Sequence, residues 1–377
     1  MKDQGLKLRD LRDRLARVDG DILRLLAERT RAVRAVAELK VTEKLAPFVR
    51  DRETEKILEL ERRAGEMGVS EELVRDVFGA LMAGSRAAQR AALVASEDRL
   101  SIGVVGGTQG MGAFLARIFA SVGHTVDAMG LDHGDPAEAV ASRNDLVIVA
   151  VPIAATCDVI GRVAPRMREG ACLMDVTSLK RAPMEAMLAA APEGVEIVGT
   201  HPMFGPHAGG DMDRQKVVLC RGRGERAYTR VRRLYESFGA EIVEATAEEH
   251  DAQMALIQVL VHTKTMVVGS ALERLGANLG RSLDFASPIY RAELAMVGRL
   301  FSQAPDLYAE ILTNNPDGAR VVSVFAAEAA KFSAALGAGD RGSIVARFRE
   351  VAAFLRDFAG WARRQSDAIL EDIVRHG

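Results

Sequence analysis

The 377-residue chain has few cysteines, almost no net charge and no long unbroken apolar run. Its three cysteines, Cys157, Cys172 and Cys220, are odd in number and lack metal-ligand spacing. A disulfide framework and a cysteine metal site are therefore not expected, and all three read as reduced core thiols. No metal site is expected elsewhere either. The formal net charge is −2, and no basic stripe stands out against it, so nucleic acid is not an expected partner. The most apolar run, Leu146 to Ala155, is broken by Pro152 and falls well short of the roughly 20 residues of a membrane span. It reads as a buried strand, and no membrane partner is expected. Lys2, Asp3, Lys7, Arg9 and Asp10 leave no apolar leader core, so a cytoplasmic location is expected. What the chain does have, 48% hydrophobic and 27% charged residues, suits a soluble globular protein. At about 100–200 residues per domain its length predicts two or three domains.

Three textures follow one another. Over residues 1–92, Leu8, Leu11, Leu15, Val18, Ile22 and Leu25 recur at spacings of three and four, and Val33 and Val36 resume the pattern. One long helix from about Leu6 to Lys40 is predicted. Pro47 marks a break, a second helix runs from about Asp51 to Gly65, and a third from Ser70 to Ala92. A helix of some 35 residues is about 50 Å long, too long for a lone three-helix domain to cover. Its apolar face is expected to bury against a second chain. After a polar linker, Ala95 to Arg99, short apolar runs alternate with helical segments over 99–247: Ser101–Val105, Thr125–Met129, Leu146–Val151, Cys172–Val176, Glu196–Thr200 and Val217–Cys220. Alternation of that kind predicts a parallel sheet covered by helices. From 248 to 377 only helical periodicity remains. The expected fold is multidomain: an all-α three-helix domain, an α/β Rossmann-like dinucleotide-binding domain and an all-α C-terminal domain.

Gly106-Gly107-Thr108-Gln109-Gly110-Met111-Gly112 follows the first predicted strand and opens a helix. Glycines there permit a tight turn and close backbone approach to a pyrophosphate, which the helix N-terminus favours. Gln109 stands where the second glycine of the usual pattern belongs. The acidic residue that commonly grips a ribose should end the second strand, where Gly130 stands instead; Asp132, two residues on, is the candidate. With no arginine or lysine near Gly130 to receive a 2′-phosphate, NAD is expected rather than NADP.

The first helix carries cations that a plain coiled coil would exclude. Arg29 falls in the apolar series, and Lys40, 11 residues later, returns to within about 20° of the same face. Arg12 lies 17 residues before Arg29, roughly 25 Å along the axis. Leu11-Arg12, Asp19, Leu25-Leu26-Ala27-Glu28-Arg29, Lys40, Arg52-Glu53, Ser85 and Gln89 together resemble the all-helical chorismate mutases. That resemblance implies a pericyclic rearrangement of a dicarboxylate, with no nucleophile. It implies that Arg29 and a partner chain's Arg12 bind carboxylates and that Lys40 and Gln89 face the ether oxygen. Glu53 then takes the ring hydroxyl, supported by Arg52 and Ser85.

Gly199-Thr200-His201-Pro202-Met203-Phe204-Gly205-Pro206 follows a predicted strand, where sheets of this kind place ligands. Asp175-Val176-Thr177-Ser178-Leu179-Lys180 ends the preceding strand. Glu248-Glu249-His250-Asp251, Gln258 and His262 lie on the next helix, and Ser287 to Phe301 is a further helix bearing Arg291 and Arg299. From Ser101 onward these segments resemble the prephenate dehydrogenases, and the whole chain resembles the bifunctional chorismate mutase–prephenate dehydrogenases of tyrosine biosynthesis. The resemblance implies that His201 draws the proton from the substrate C4 hydroxyl and that Ser178 orients His201. Arg299 would bind the ring carboxylate. His250, Gln258, His262 and Arg291 are candidate substrate-binding residues, and Val151 and Pro152 join the glycine loop as cofactor-binding candidates. It further implies chorismate and prephenate as substrates and a homodimer held by the C-terminal domain. Two alternatives stand beside it: an arogenate dehydrogenase with a mutase domain, and a nucleotide-sensing dimeric regulator with inactive sites. A generic hydroxyacid dehydrogenase leaves the N-terminal cations unexplained.

Overall fold

A computed structural model describes residues 2–43, 50–94, 99–131, 135–206 and 212–376, with their side chains except those of 2–8, 41, 50–54, 87, 90–94 and 376. The chain forms two compact units. One comprises Met1–Val151, Asp158–Val176 and Ala186–Glu244; the other comprises Pro152–Cys157, Thr177–Glu185 and Ala245–Gly377.

The first unit begins with three helices, α1 (Lys2–Thr42), α2 (Arg50–Glu66) and α3 (Glu71–Val94). The first is as long as its apolar periodicity requires. Ser70 Oγ accepts the Leu73 N–H, and Glu71 and Glu72 occupy the first turn of α3, as a helix N-terminus favours. Helices α1 and α2 both pack on α3. The shared core is thin: Ala37, Ala64 and Met82 are its buried apolar residues among those described. The rest of the α1 stripe faces out, with Leu11 57%, Leu15 62%, Val18 48%, Ile22 49% and Leu25 55% exposed. Nothing in the described part of this chain covers them.

The sheet follows: β1 (Ser101–Val105), α4 (Gly110–Ser121), β2 (Thr125–Met129), α5 (Ala137–Arg143), β3 (Leu146–Val149), α6 (Ile153–Val163), β4 (Cys172–Asp175), α7 (Arg181–Ala190), β5 (Glu196–Pro202), β6 (Lys216–Arg223), α8 (Glu225–Ser237) and β7 (Glu241–Ala245). Its seven strands run in the order β2-β1-β3-β4-β5-β6-β7. The first five are parallel, and β6 turns back antiparallel to β5. The register aligns the carboxyl ends: Val105 pairs with Met129 and Val149, Val149 with Asp175, and Asp175 with Gly199. Ile102, Val104, Leu115, Phe119, Ile148, Met174, Val198 and Tyr235 fill the core against α4 and α8. Full burial of each such aliphatic or aromatic side chain stabilises by about 1.5–3 kcal/mol. The seventh strand was not expected from sequence.

Helices alone make up the remainder of the second unit: α9 (Ala247–Met254), a π turn (Ala255–Leu260), α10 (Val261–Arg274), α11 (Leu279–Asp284), α12 (Pro288–Phe301), α13 (Pro305–Asn314), α14 (Gly318–Gly337), α15 (Arg341–Phe354) and α16 (Ala359–His376). The continuous stretch Ala247–Arg274 is long and apolar enough to cross a membrane by length and composition, a property the sequence reading did not single out. Much of its apolar surface, including Leu256, Ile257, Val261 and Val267, is exposed. One expectation fails for the thiols. Cys172 and Cys220 are buried, whereas Cys157 sits exposed on α6, because the helix turns that position outward. Burial pushes the Cys172 thiol up to about 12.

Candidate active sites

The helical site gathers on the contact of α1 with α3. Arg29 Nη1 donates to Ser85 Oγ at 2.7 Å and to the Leu81 carbonyl at 3.0 Å. About three turns further along α1, Lys40 Nζ donates to Gln89 Oε1 at 3.0 Å. Arg29 and Lys40 on α1 thus meet Ser85 and Gln89 on α3, and two cations and two neutral polar groups line one half-buried face. The preorganised donors suit a small polyanion. Arg12 is exposed on the same helix and lies about 25 Å from Arg29 along the axis. Arg52 and Glu53 belong to α2, but their side chains lie outside those described.

The nucleotide loop sits where the strand order reverses, between β1 and β3, the position at which open α/β sheets bind ligands. Its glycines are required by contact. A Cβ on Gly106 would collide with the Ala150 carbonyl and lie 3.2 Å from Val151 Cγ1; one on Gly112 would collide with the Gly106 carbonyl. Gly110 has a φ of +53° and open space beside it. Gln109 begins α4 without a side-chain cap, leaving a helix N-terminus for a pyrophosphate. These features fit a dinucleotide. A Cβ on Gly130 would collide with Thr108, so the end of β2 closes down on the loop. Met111 packs half-buried against the core, and Asp132 lies outside the described residues.

His201 is the penultimate residue of β5, two positions past the aligned carboxyl row, and is 4% exposed. Its neighbour fixes it in place: Thr200 Oγ1 donates to the Asp175 carbonyl and meets Tyr235 Oη at 3.4 Å. Asp175 and Tyr235 are fully buried, so the strand end is anchored in the core.

In the second unit, Pro152 opens the turn before α6 and accepts a bond from Thr156 Oγ1 at its carbonyl. Ser178 is half-buried between buried Thr177 and Leu179. His250 is wholly enclosed, its Nδ1 2.8 Å from Asp251 Oδ1. Gln258 lies in the π turn, a feature frequent at functional sites. Its Oε1 is buried and has no hydrogen-bond partner among the described residues, an arrangement that suits a ligand donor. His262 stacks edge-on against Tyr308 with ring centroids 4.9 Å apart, and burial pushes its pKa down. Burial raises Tyr308, and nearby Arg299 offsets part of that rise. Arg299 is exposed and Arg291 half-buried on α12, whose Ser287 caps it through the Tyr290 N–H. Tyr308 was not among the sequence candidates; an aromatic at helical spacing reads as core until its neighbours are seen.

Three family models match parts of the chain. Residues 11–90 match "Chorismate mutase type II", residues 120–244 "Prephenate dehydrogenase, nucleotide-binding domain" and residues 246–350 "Prephenate dehydrogenase, dimerization domain". The chain is 34% identical to the T-protein of Enterobacter agglomerans over 94% of each chain. It is 31% identical to the T-protein of Haemophilus influenzae over 97% of this chain and 96% of that one. Among solved structures, prephenate dehydrogenase from A. aeolicus in complex with hydroxyphenyl propionate and NAD+ superposes with a TM-score of 0.56. At 15% identity it covers 70% of this chain and 99% of that one, a likeness of fold.

Proposed function

The chain belongs to the T-protein family, a chorismate mutase joined to a prephenate dehydrogenase, and from that premise we propose how its residues divide the work. It is a bifunctional enzyme of tyrosine biosynthesis. It rearranges chorismate to prephenate, then decarboxylates prephenate oxidatively to 4-hydroxyphenylpyruvate with NAD. Residues 1–92 form the mutase, 99–247 the nucleotide-binding domain and 248–377 the domain that binds substrate and dimerises.

In the mutase, Arg29 and the partner subunit's Arg12 hold the two carboxylates and keep chorismate in its compact reactive form. Lys40 and Gln89 donate toward the ether oxygen as negative charge develops there. Glu53 takes the ring hydroxyl, with Arg52 and Ser85 in support. The observation that carries this reading is the pairing of Arg29 with Ser85 and Lys40 with Gln89 on one face.

In the dehydrogenase, Gly106 to Gly112, with Val151, Pro152 and Asp132, would hold NAD, which when bound would supply the acceptor for the hydride of C4. His201 draws the proton from the C4 hydroxyl, and Ser178 orients the histidine. Arg299 holds the ring carboxylate until it departs as carbon dioxide. The ring electrons then aromatise, and the proton returns to the oxygen that becomes the phenol. Gln258, His262, Arg291 and His250 serve the substrate. The chain acts as a homodimer in the cytoplasm, needing neither nucleic acid nor a membrane. A second copy covers the apolar surface of Ala247–Arg274, which falls within the matched dimerization domain.

Chorismate supplied alone should accumulate as prephenate; with NAD it should yield 4-hydroxyphenylpyruvate, carbon dioxide and NADH. NADH formation from arogenate in preference to prephenate would overturn the substrate assignment. No turnover of either would favour a nucleotide-sensing regulator.

A further inference from the structure

The turn that presents Ser178 is held by a side chain 71 residues away. The Asp251 carboxylate, 1% exposed, accepts the Lys180 N–H at 2.8 Å through Oδ1 and the Arg181 N–H at 3.0 Å through Oδ2. Arg181 opens α7 and Lys180 directly precedes it, so a residue of α9 caps a helix it does not belong to. His250 supplies a third contact, its Nδ1 lying 2.8 Å from Asp251 Oδ1, and Asn315 Nδ2 donates to the Asp251 carbonyl at 2.9 Å. Within the turn, Thr177 Oγ1 donates to the Leu179 carbonyl at 2.7 Å, and the buried Lys180 Nζ lies 3.4 Å from Thr177 Oγ1. Thr177, Leu179 and Lys180 are buried; Ser178 alone between them is half-exposed. Burial by itself raises the Asp251 carboxyl, but the bonds from His250 and from the Arg181 and Lys180 N–H groups hold it below the usual carboxylate range.

A charge removed from water is strongly destabilising unless it is fully bonded, and a plain cap does not need that arrangement, since an exposed serine or threonine suffices. Here a buried carboxylate with three donors fixes two consecutive peptides that begin one residue beyond the serine, those of the Lys180 and Arg181 N–H groups. We propose that Asp251 is a positioning residue of the dehydrogenase reaction: with His250 as its support, it sets the peptide geometry that aims Ser178, and acts on turnover through that serine. This rests on the reading of Ser178 as part of the dehydrogenase machinery. Displacing a reacting group by about 1 Å costs up to about a hundredfold in rate.

The test is a double-mutant cycle in the full-length enzyme with Asp251→Asn and Ser178→Ala. Asp251→Asn should lower kcat for prephenate oxidation about tenfold to a hundredfold, leaving NAD affinity by fluorescence titration and mutase activity within about twofold. In the Ser178→Ala background the same substitution should cost less than about threefold, since the group it positions is gone. An undiminished loss in that background would overturn the inference and leave Asp251 a structural cap. If Ser178→Ala itself leaves kcat unchanged, the reading of Ser178 fails instead, and the two failures are distinct. Should Asp251→Asn not fold, Asp251→Glu, which keeps the charge and displaces the carboxylate, enters the same cycle; its cost must likewise shrink in the Ser178→Ala background, and an equal cost in both overturns the proposal.

Discussion

The N-terminal helices and the sheet bury their apolar residues in opposite ways. From Ile102 to Tyr235 the large side chains of the sheet are enclosed, many with no exposure at all. Along α1, five successive members of the apolar stripe remain about half exposed or more. A long amphipathic helix draws its stability from tertiary packing of that stripe rather than from propensity, so the helical region is incomplete as a single chain and the sheet is not. The proposed catalytic groups follow suit. His201 hangs from a strand end pinned to Asp175 and Tyr235. Arg29 and Lys40 sit on a helix whose third proposed site cation, Arg12, lies beyond the reach of the same small ligand.

Four measurements break or sharpen that contrast, beginning with the largest effect. His201→Asn should slow prephenate oxidation about a thousandfold, within the range for removing a general base. Binding of NAD and prephenate and the mutase rate should be nearly intact; a variant that chiefly raised the prephenate KM would show that His201 binds rather than reacts. Lys40→Ala should cost the mutase at least about a hundredfold, as loss of one preorganised donor does. Oxidation of supplied prephenate should continue, and an unaltered mutase rate would remove Lys40 from the site. Arg299→Ala should raise the prephenate KM about tenfold to a hundredfold, the worth of a charge-assisted hydrogen bond, without weakening NAD binding in a titration. The smallest effect is thermal. His124, 8% exposed, accepts the Leu100 N–H, and burial pushes both it and His262 down. A histidine whose folded pKa is depressed contributes stability above its unfolded value of about 6.5 and loses it as pH falls toward the folded value. The Tm should therefore drop by a few degrees, about 2–4 °C per kcal/mol, between pH 7.5 and 5.5, with the sheet carrying the His124 share. His124→Gln should abolish part of that drop.

How legible each part was in the sequence follows from the range of the interaction that makes it. Strands β1 to β6 were readable because runs such as Leu146–Val149 are buried on both faces and therefore continuously apolar. Strand β7, Glu-Ile-Val-Glu-Ala, was missed because an edge strand is only half buried and carries charges at Glu241 and Glu244. The pairing of Arg29 and Lys40 was visible in helical spacing alone. The π turn under Gln258 was not, since Ala255–Leu260 shows the same apolar pattern whichever carbonyl each N–H reaches. The Asp251 clamp on Lys180 and Arg181 spans 71 and 70 residues, and no local pattern records such a contact. Tyr308 gained its meaning only from lying against His262.

Whether the helical site is shared between two chains decides the contrast, and subunit complementation measures it. Full-length Arg12→Ala and Arg29→Ala proteins should each be nearly inactive as mutases while oxidising prephenate normally. Refolded together, they should form heterodimers in which one site collects both substitutions and the other neither, by the two-fold symmetry of an isologous dimer. Mutase activity should then return to as much as about half of the heterodimer sites. Heterodimers proven by mass that show no recovery would place the whole mutase site within one chain, and the exposed stripe of α1 would have no part in building it.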